Sequence, residues 1–239
     1  MDKFEEYFHY YSTALNGILF IKDGKFLIWD PNSETAKNLF EDQQKDAGFI
    51  RFSVGCSCAI IEYWNSDNIL LYWNMETNEK IGELKGHSQS VADLDISLDG
   101  SIAVSCSYDK TIIVWDLKKC EQELKIEGLN KAPTLIKLFN NKKFCLSNEG
   151  DLNLVIWDLN AKTRYANFRI LHGINIKLSG INVIDGDKYA VTADEYNGIR
   201  IWNIAEKRKE LEFGFIDDAI KWFKEKNLNI YLSRRWLKA

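Results

Sequence analysis

Residues 86–116 read "GHSQSVADLDISLDGSIAVSCSYDKTIIVWD". "VADLDIS" sets Val91, Leu94 and Ile96 among polar residues, the pattern of a half-buried strand. "LDGS" follows, with Asp99-Gly100 as a turn signal. "IAVSCS" reads as a second strand, "YDKT" as a tight turn, "IIVWDL" as a third strand and "EQELKI" at Glu121–Ile126 as a fourth.

The end of this stretch recurs along the chain. It appears as "KFLIWD" at Lys25–Asp30, "ILLYWN" at Ile69–Asn74, "IIVWD" at Ile112–Asp116, "LVIWD" at Leu154–Asp158 and "IRIWN" at Ile199–Asn203. The tryptophans Trp29, Trp73, Trp115, Trp157 and Trp202 stand 44, 42, 42 and 45 residues apart. A fixed period of this length, with apolar and β-branched runs capped by Trp and a short polar residue, is the arithmetic of a propeller blade. The period also accounts for five of the eight Trp.

The whole segment 86–116 closely resembles the WD-repeat signature: Gly-His, a strand, Ser-x-Asp-Gly, a strand ending in Ser-x-Ser, then Asp and Trp-Asp. The other units match mainly at their Trp ends and turns. The resemblance implies an all-β WD-repeat β-propeller over residues 1–239, with four-stranded blades near 1–43, 44–86, 87–128, 129–171 and 172–214. In 215–239, "DAIKWF" and "LNIYLS" fit the first strands of a partial sixth blade, although Asp217–Lys226 also fits a short helix. Such rings usually hold more than five blades, so the expectation is part of a larger ring, then an incomplete one completed by a partner or another copy, and third a compact five- or six-bladed ring.

His87, Ser105 and Asp109 are the residue types of a hydrolase triad, and their reading bears directly on function. No "GxSxG" elbow surrounds Ser105. In the family the matching His, Ser, Asp and Trp form a hydrogen-bonded structural tetrad, which here would be His87, Ser105, Asp109 and Trp115. The Asp six residues before the Trp recurs as Asp23, Asp67, Asp109 and Asp151, while the fifth unit has Tyr196 there, with Asp194 as a substitute. The Ser/Thr position is Ser147 and Thr192 in the last two units, but Leu19 and Tyr63 in the first two. His172 is a shifted equivalent of the Gly-His histidine. Only the third unit carries the full set.

Composition narrows the function further. Net charge is −4 and the pI about 5.5, against the clustered basic face of a nucleic-acid binder. Arg51, Arg164, Arg169, Arg200 and Arg208 are scattered in sequence, against a phosphate-reading Arg cluster. The five cysteines are odd in number and lack zinc or disulfide-framework spacing; Cys56 and Cys58 read as small buried residues of one strand face. A reducing, cytoplasmic setting follows as the default, with nuclear, cytoskeletal or ciliary placement left open. No apolar run reaches membrane-spanning length.

The expectation is therefore a non-catalytic protein–protein interaction scaffold within a multiprotein complex. No cofactor, metal, small-molecule substrate, nucleic acid or membrane is expected as a partner. The alternative is a regulatory or substrate-recruiting propeller domain of a larger signalling or catalytic protein. Contact residues in such domains lie on loops and turns. The candidates here are Tyr108, Lys110, Ser88, Gln89 and Tyr196, with Glu149 and Glu195 as further turn positions.

Overall fold

The computed structural model describes residues 10–12, 17–22, 25–40, 47–53, 57–63, 67–150, 153–170, 177–196 and 198–226. These form five four-stranded antiparallel sheets and one helix. The first sheet holds β1 (Tyr10–Ser12), β2 (Gly17–Lys22), β3 (Lys25–Asp30) and β4 (Thr35–Asn38). The second holds β5 (Ala47–Phe52), β6 (Cys58–Tyr63), β7 (Leu70–Asn74) and β8 (Glu79–Leu84). The third holds β9 (Val91–Ile96), β10 (Ile102–Ser107), β11 (Ile112–Asp116) and β12 (Glu121–Ile126). The fourth holds β13 (Ile136–Leu138), β14 (Phe144–Asn148), β15 (Asn153–Asp158) and β16 (Thr163–Arg169). The fifth holds β17 (Leu178–Ile184), β18 (Tyr189–Asp194), β19 (Ile199–Asn203) and β20 (Arg208–Phe213). Strands pair in chain order within every sheet, so each period folds as one meander, the form of a propeller blade.

The residue after each repeat Trp explains the tight return from third to fourth strand. Asp30 accepts from the Asn32 amide, Asn74 from Glu76 and Thr77, Asp116 from Lys118 and Lys119, Asp158 from Asn160 and Ala161, and Asn203 from Glu206. Four residues beyond that acceptor the chain turns left-handed each time, at Glu34, Asn78, Cys120, Lys162 and Lys207, with φ of 51–58°. A short Asp or Asn side chain reaches these amides well from its own backbone, hence Trp-Asp or Trp-Asn in every unit. The Lys119 ammonium bonded to Asp116 holds that carboxyl below its usual range. In the second, fourth and fifth sheets the register shifts by one residue beside the Trp, a bulge that marks the same position.

By packing, the chain divides into two compact units: residues 1–91, 96–103 and 114–123, and residues 92–95, 104–113 and 124–239. In the first unit, Phe26, Phe40, Ile50, Ile61, Trp73 and Met75 form a core between the first two sheets, with the Phe40 ring edge-on to Trp73 at 4.9 Å. In the second, Leu146, Leu154, Ile156, Phe168, Ile181 and Trp202 fill the space between the fourth and fifth sheets.

The strand expected at "DAIKWF" is corrected. Residues Ile216–Glu225 form α1. Ile216, Ala219, Ile220 and Phe223 recur at the spacing of one helix face, with Asp217 and Asp218 in the first turn and Lys224 in the last, each favourable to the helix dipole. Ala219 and Phe223 are buried against Ile184, Val191, Ala193, Ile199 and Ile201 of the fifth sheet. The helix thus covers a sheet face that a sixth set of strands was expected to cover. "LNIYLS" lies outside the described residues.

Candidate functional site

Ten residues before the repeat Trp, a hydroxyl one rung along β14 or β18 faces the indole of the next strand. Trp157 Nε1–H donates to Ser147 Oγ at 2.9 Å and Trp202 Nε1–H to Thr192 Oγ1 at 3.1 Å. Both acceptors are fully buried. In the second sheet the same offset falls on Tyr63, and Trp73 Nε1 is a buried donor without an acceptor among the described residues. Trp29 in the first sheet is only partly buried.

In the third sheet Ser105 and Trp115 are both 0% exposed, and the buried His87 ring lies 6.1 Å from the Trp115 indole at 68°. Asp109 Oδ1 accepts from the Thr111 amide at 2.9 Å and the Thr111 hydroxyl at 2.7 Å. The Asp109 amide in turn donates to Ser107 Oγ. The fifth sheet solves the same turn differently. Asp194 Oδ1 accepts from the Tyr196 and Gly198 amides, and Asp194 Oδ2 pairs with the buried Arg200 at 2.9 Å. Asp67 is exposed and left-handed at φ 56°. Asp23, Asp151 and His172 lie outside the described residues, as does Cys56.

Among the candidate contact residues, Tyr108 and Lys110 share the β10–β11 turn and are both exposed. Tyr196 occupies the corresponding β18–β19 turn and is 69% exposed. Ser88 and Gln89 are exposed between β8 and β9. Glu149 is a correction: it is buried, accepts from the Asn130 amide at 2.9 Å and pairs with Arg164 at 3.0 Å, so it braces the fourth sheet. Glu195 accepts from the Lys177 amide.

Sequence reasoning missed a set of carboxylates that satisfy edge amides. Asp93 accepts from Ile136 N–H at 3.1 Å, and Asp95 from Leu138 N–H at 2.8 Å, with Lys137 Nζ also on Asp95. Those two amides sit two residues apart on β13. Acids spaced by two in an otherwise apolar β9 were the available signal. Asp187 does the same for Asn140 and Asn141. Glu62 accepts from Val91 N–H at 2.9 Å; its burial pushes the carboxyl above its usual range and the amide pulls it partly back.

Arg169 joins Arg200 and Arg208, which lie more than 30 residues further along the chain, in lining one cleft of about 270 Å³ in the second unit. Burial alone pushes the Cys145 thiol far up, so it is an inert core residue. Among the described residues no group of three or more His, Cys, Asp or Glu is arranged to hold a metal, and no helix is long and apolar enough to cross a membrane.

The profile of the family described as "WD domain, G-beta repeat" matches residues 78–116. The chain is similar to "Small ribosomal subunit protein RACK1" of Schizosaccharomyces pombe, 40% identical over 60 residues, covering 23% of this chain and 19% of that one. It is similar to "COMPASS component SWD2" of Saccharomyces cerevisiae, 28% identical over 127 residues, 49% of this chain and 38% of that one. "WD repeat and SOCS box-containing protein 1" of Xenopus tropicalis is 35% identical over 77 residues, 32% of this chain and 18% of that one. The match thus spans well under half the length of these curated relatives.

Proposed function

Since the chain belongs to the WD-repeat family, we propose that it is a non-catalytic interaction scaffold, a structural subunit of a multiprotein assembly. The observation that carries this reading is the third sheet. There Ser105 is closed to solvent, and both donors of Thr111 converge on one Asp109 oxygen, which supports bracing over catalysis. A nucleophile needs access, which Ser105 lacks. His87, Ser105, Asp109 and Trp115 are read as a structural tetrad that fixes the blade. The names of two relatives, a small ribosomal subunit protein and a COMPASS component, place those proteins in assemblies and support the same reading here.

The binding surface is assigned to the turns that carry Tyr108, Lys110, Ser88, Gln89 and Tyr196. Exposed Tyr on rigid turns supplies contact area at small entropic cost, which is why Tyr is enriched at binding hot spots. Tyr108→Ala and Tyr196→Ala are expected to weaken partner capture by about tenfold or more each with the fold intact. Unchanged capture would remove these turns from the interface. A second reading, a recruiting domain within a larger protein, is supported by one relative whose name joins WD repeats to a SOCS box in a single chain.

A further inference from the structure

The cleft in the second unit has a floor of Phe168 and Trp202, ring centroids 5.4 Å apart and both buried. Its walls come from the end of β16, the β19–β20 turn and the start of β20. They carry Arg169, Lys207, Arg208 and Lys209, with Arg200 deeper, and no carboxylate lines it. In a chain of net charge −4 this concentration of cations stands apart. The cations divide by their partners. Arg200 is buried and held by Asp194 and Glu212, each at 2.9 Å, so its charge is internal. Arg208 and Lys209 pair at the surface with Glu206 and Glu212. Exposed pairs of that kind contribute little, so an incoming anion can replace them at small cost. Lys207 reaches the Tyr165 carbonyl at 3.1 Å and lies over the Tyr165 ring at 4.2 Å. Arg169 is exposed and has no ion-pair or hydrogen-bond partner for its side chain among the described residues.

We propose that this cleft is a second docking site, which takes an acidic segment of a partner protein. Arg169 and Lys207 make the principal charged contacts, Arg208 and Lys209 exchange onto the segment, and Trp202 and Phe168 form the apolar floor. The proposal rests on the scaffold reading and names a partner chemistry for it. Charge complementarity favours an acidic peptide over nucleic acid, because the acidic remainder of the chain repels an extended polyanion beyond the cleft.

The test is fluorescence anisotropy of the full 239-residue chain with a labelled oligoglutamate peptide, its glutamine counterpart and a single-stranded oligonucleotide. The oligoglutamate should bind, more weakly as salt rises, and the glutamine peptide should not. Arg169→Glu with Lys207→Glu should weaken oligoglutamate by about tenfold or more, while Lys118→Glu at an unrelated turn leaves it unchanged. The milder Arg169→Gln with Lys207→Gln should give an intermediate loss, and unchanged circular dichroism checks folding. No oligoglutamate binding, equal loss from Lys118→Glu, or tighter binding of the oligonucleotide overturns the proposal. Partner capture separates this from the scaffold reading. Partners kept by the cleft variants but lost by Tyr108→Ala sink the cleft alone.

Discussion

At the scale of single residues, three of the five indoles differ in whether they find an acceptor. Trp157 and Trp202 donate to Ser147 and Thr192, whereas Trp73 has none among the described residues. Removing the indole N–H should therefore cost different amounts in sheets of the same design. Trp157→Phe is expected to destabilise by about 1 kcal/mol more than Trp73→Phe in urea unfolding, because only the former gives up a hydrogen bond. Ser147→Ala, which leaves the Trp157 donor buried and unmet, should cost about 1–3 kcal/mol. Equal effects in the two sheets would argue against the bracing account. Glu62 gives a pH test. Its carboxyl sits above the ordinary range, so the folded chain holds that proton to higher pH than the unfolded chain does. Stability from this group is full at low pH and falls as pH rises from the usual carboxyl range through the raised value. Glu62→Gln keeps the acceptor for Val91 N–H and should flatten that fall. An unchanged slope of stability against pH would contradict it.

At the scale of elements, the strands and their turns were largely legible, because each is written by local chemistry. Alternating or β-branched runs mark the strands, and Trp followed by Asp or Asn marks the return. The structure adds the reason: a short acceptor at Asp158 takes two turn amides before the chain turns left-handed at Lys162. Asp158→Ala should cost about 1–2 kcal/mol and Asp158→Asn almost nothing, since Asn74 and Asn203 do this work in their own sheets. Denaturant midpoints of the two variants decide the matter; equal losses would rule out the turn as the reason for Trp-Asp. The α1 segment was less legible. "DAIKWF" is short and apolar enough for a strand, and the repeat frame called for one. The spacing of Ile216, Ala219, Ile220 and Phe223 wins because the fifth sheet offers an apolar face to one side of a helix. Glu149 was misplaced for a similar reason: a polar residue at a turn looks solvated until Arg164 and the Asn130 amide are seen to enclose it.

At the scale of the molecule, what sequence separation hides is which distant residues share a surface. Arg169 and Arg208 come together because the end of β16 and the start of β20 border the same cleft. The fifth sheet likewise depends on α1 for the cover of its apolar face. Phe223→Asp should expose that face and raise self-association, seen as a concentration-dependent increase in sedimentation coefficient relative to the unsubstituted chain. Sedimentation matching the unsubstituted chain would mean that α1 is not needed as a cover. The central claim, that this repeat array holds proteins together and performs no chemistry of its own, is tested most directly by affinity capture of the endogenous protein read by denaturing mass spectrometry. The account predicts a fixed set of protein partners, recovered in constant proportion and depleted when Tyr108 and Tyr196 are replaced by Ala. A protein recovered alone, or with partners indifferent to those turns, would contradict it.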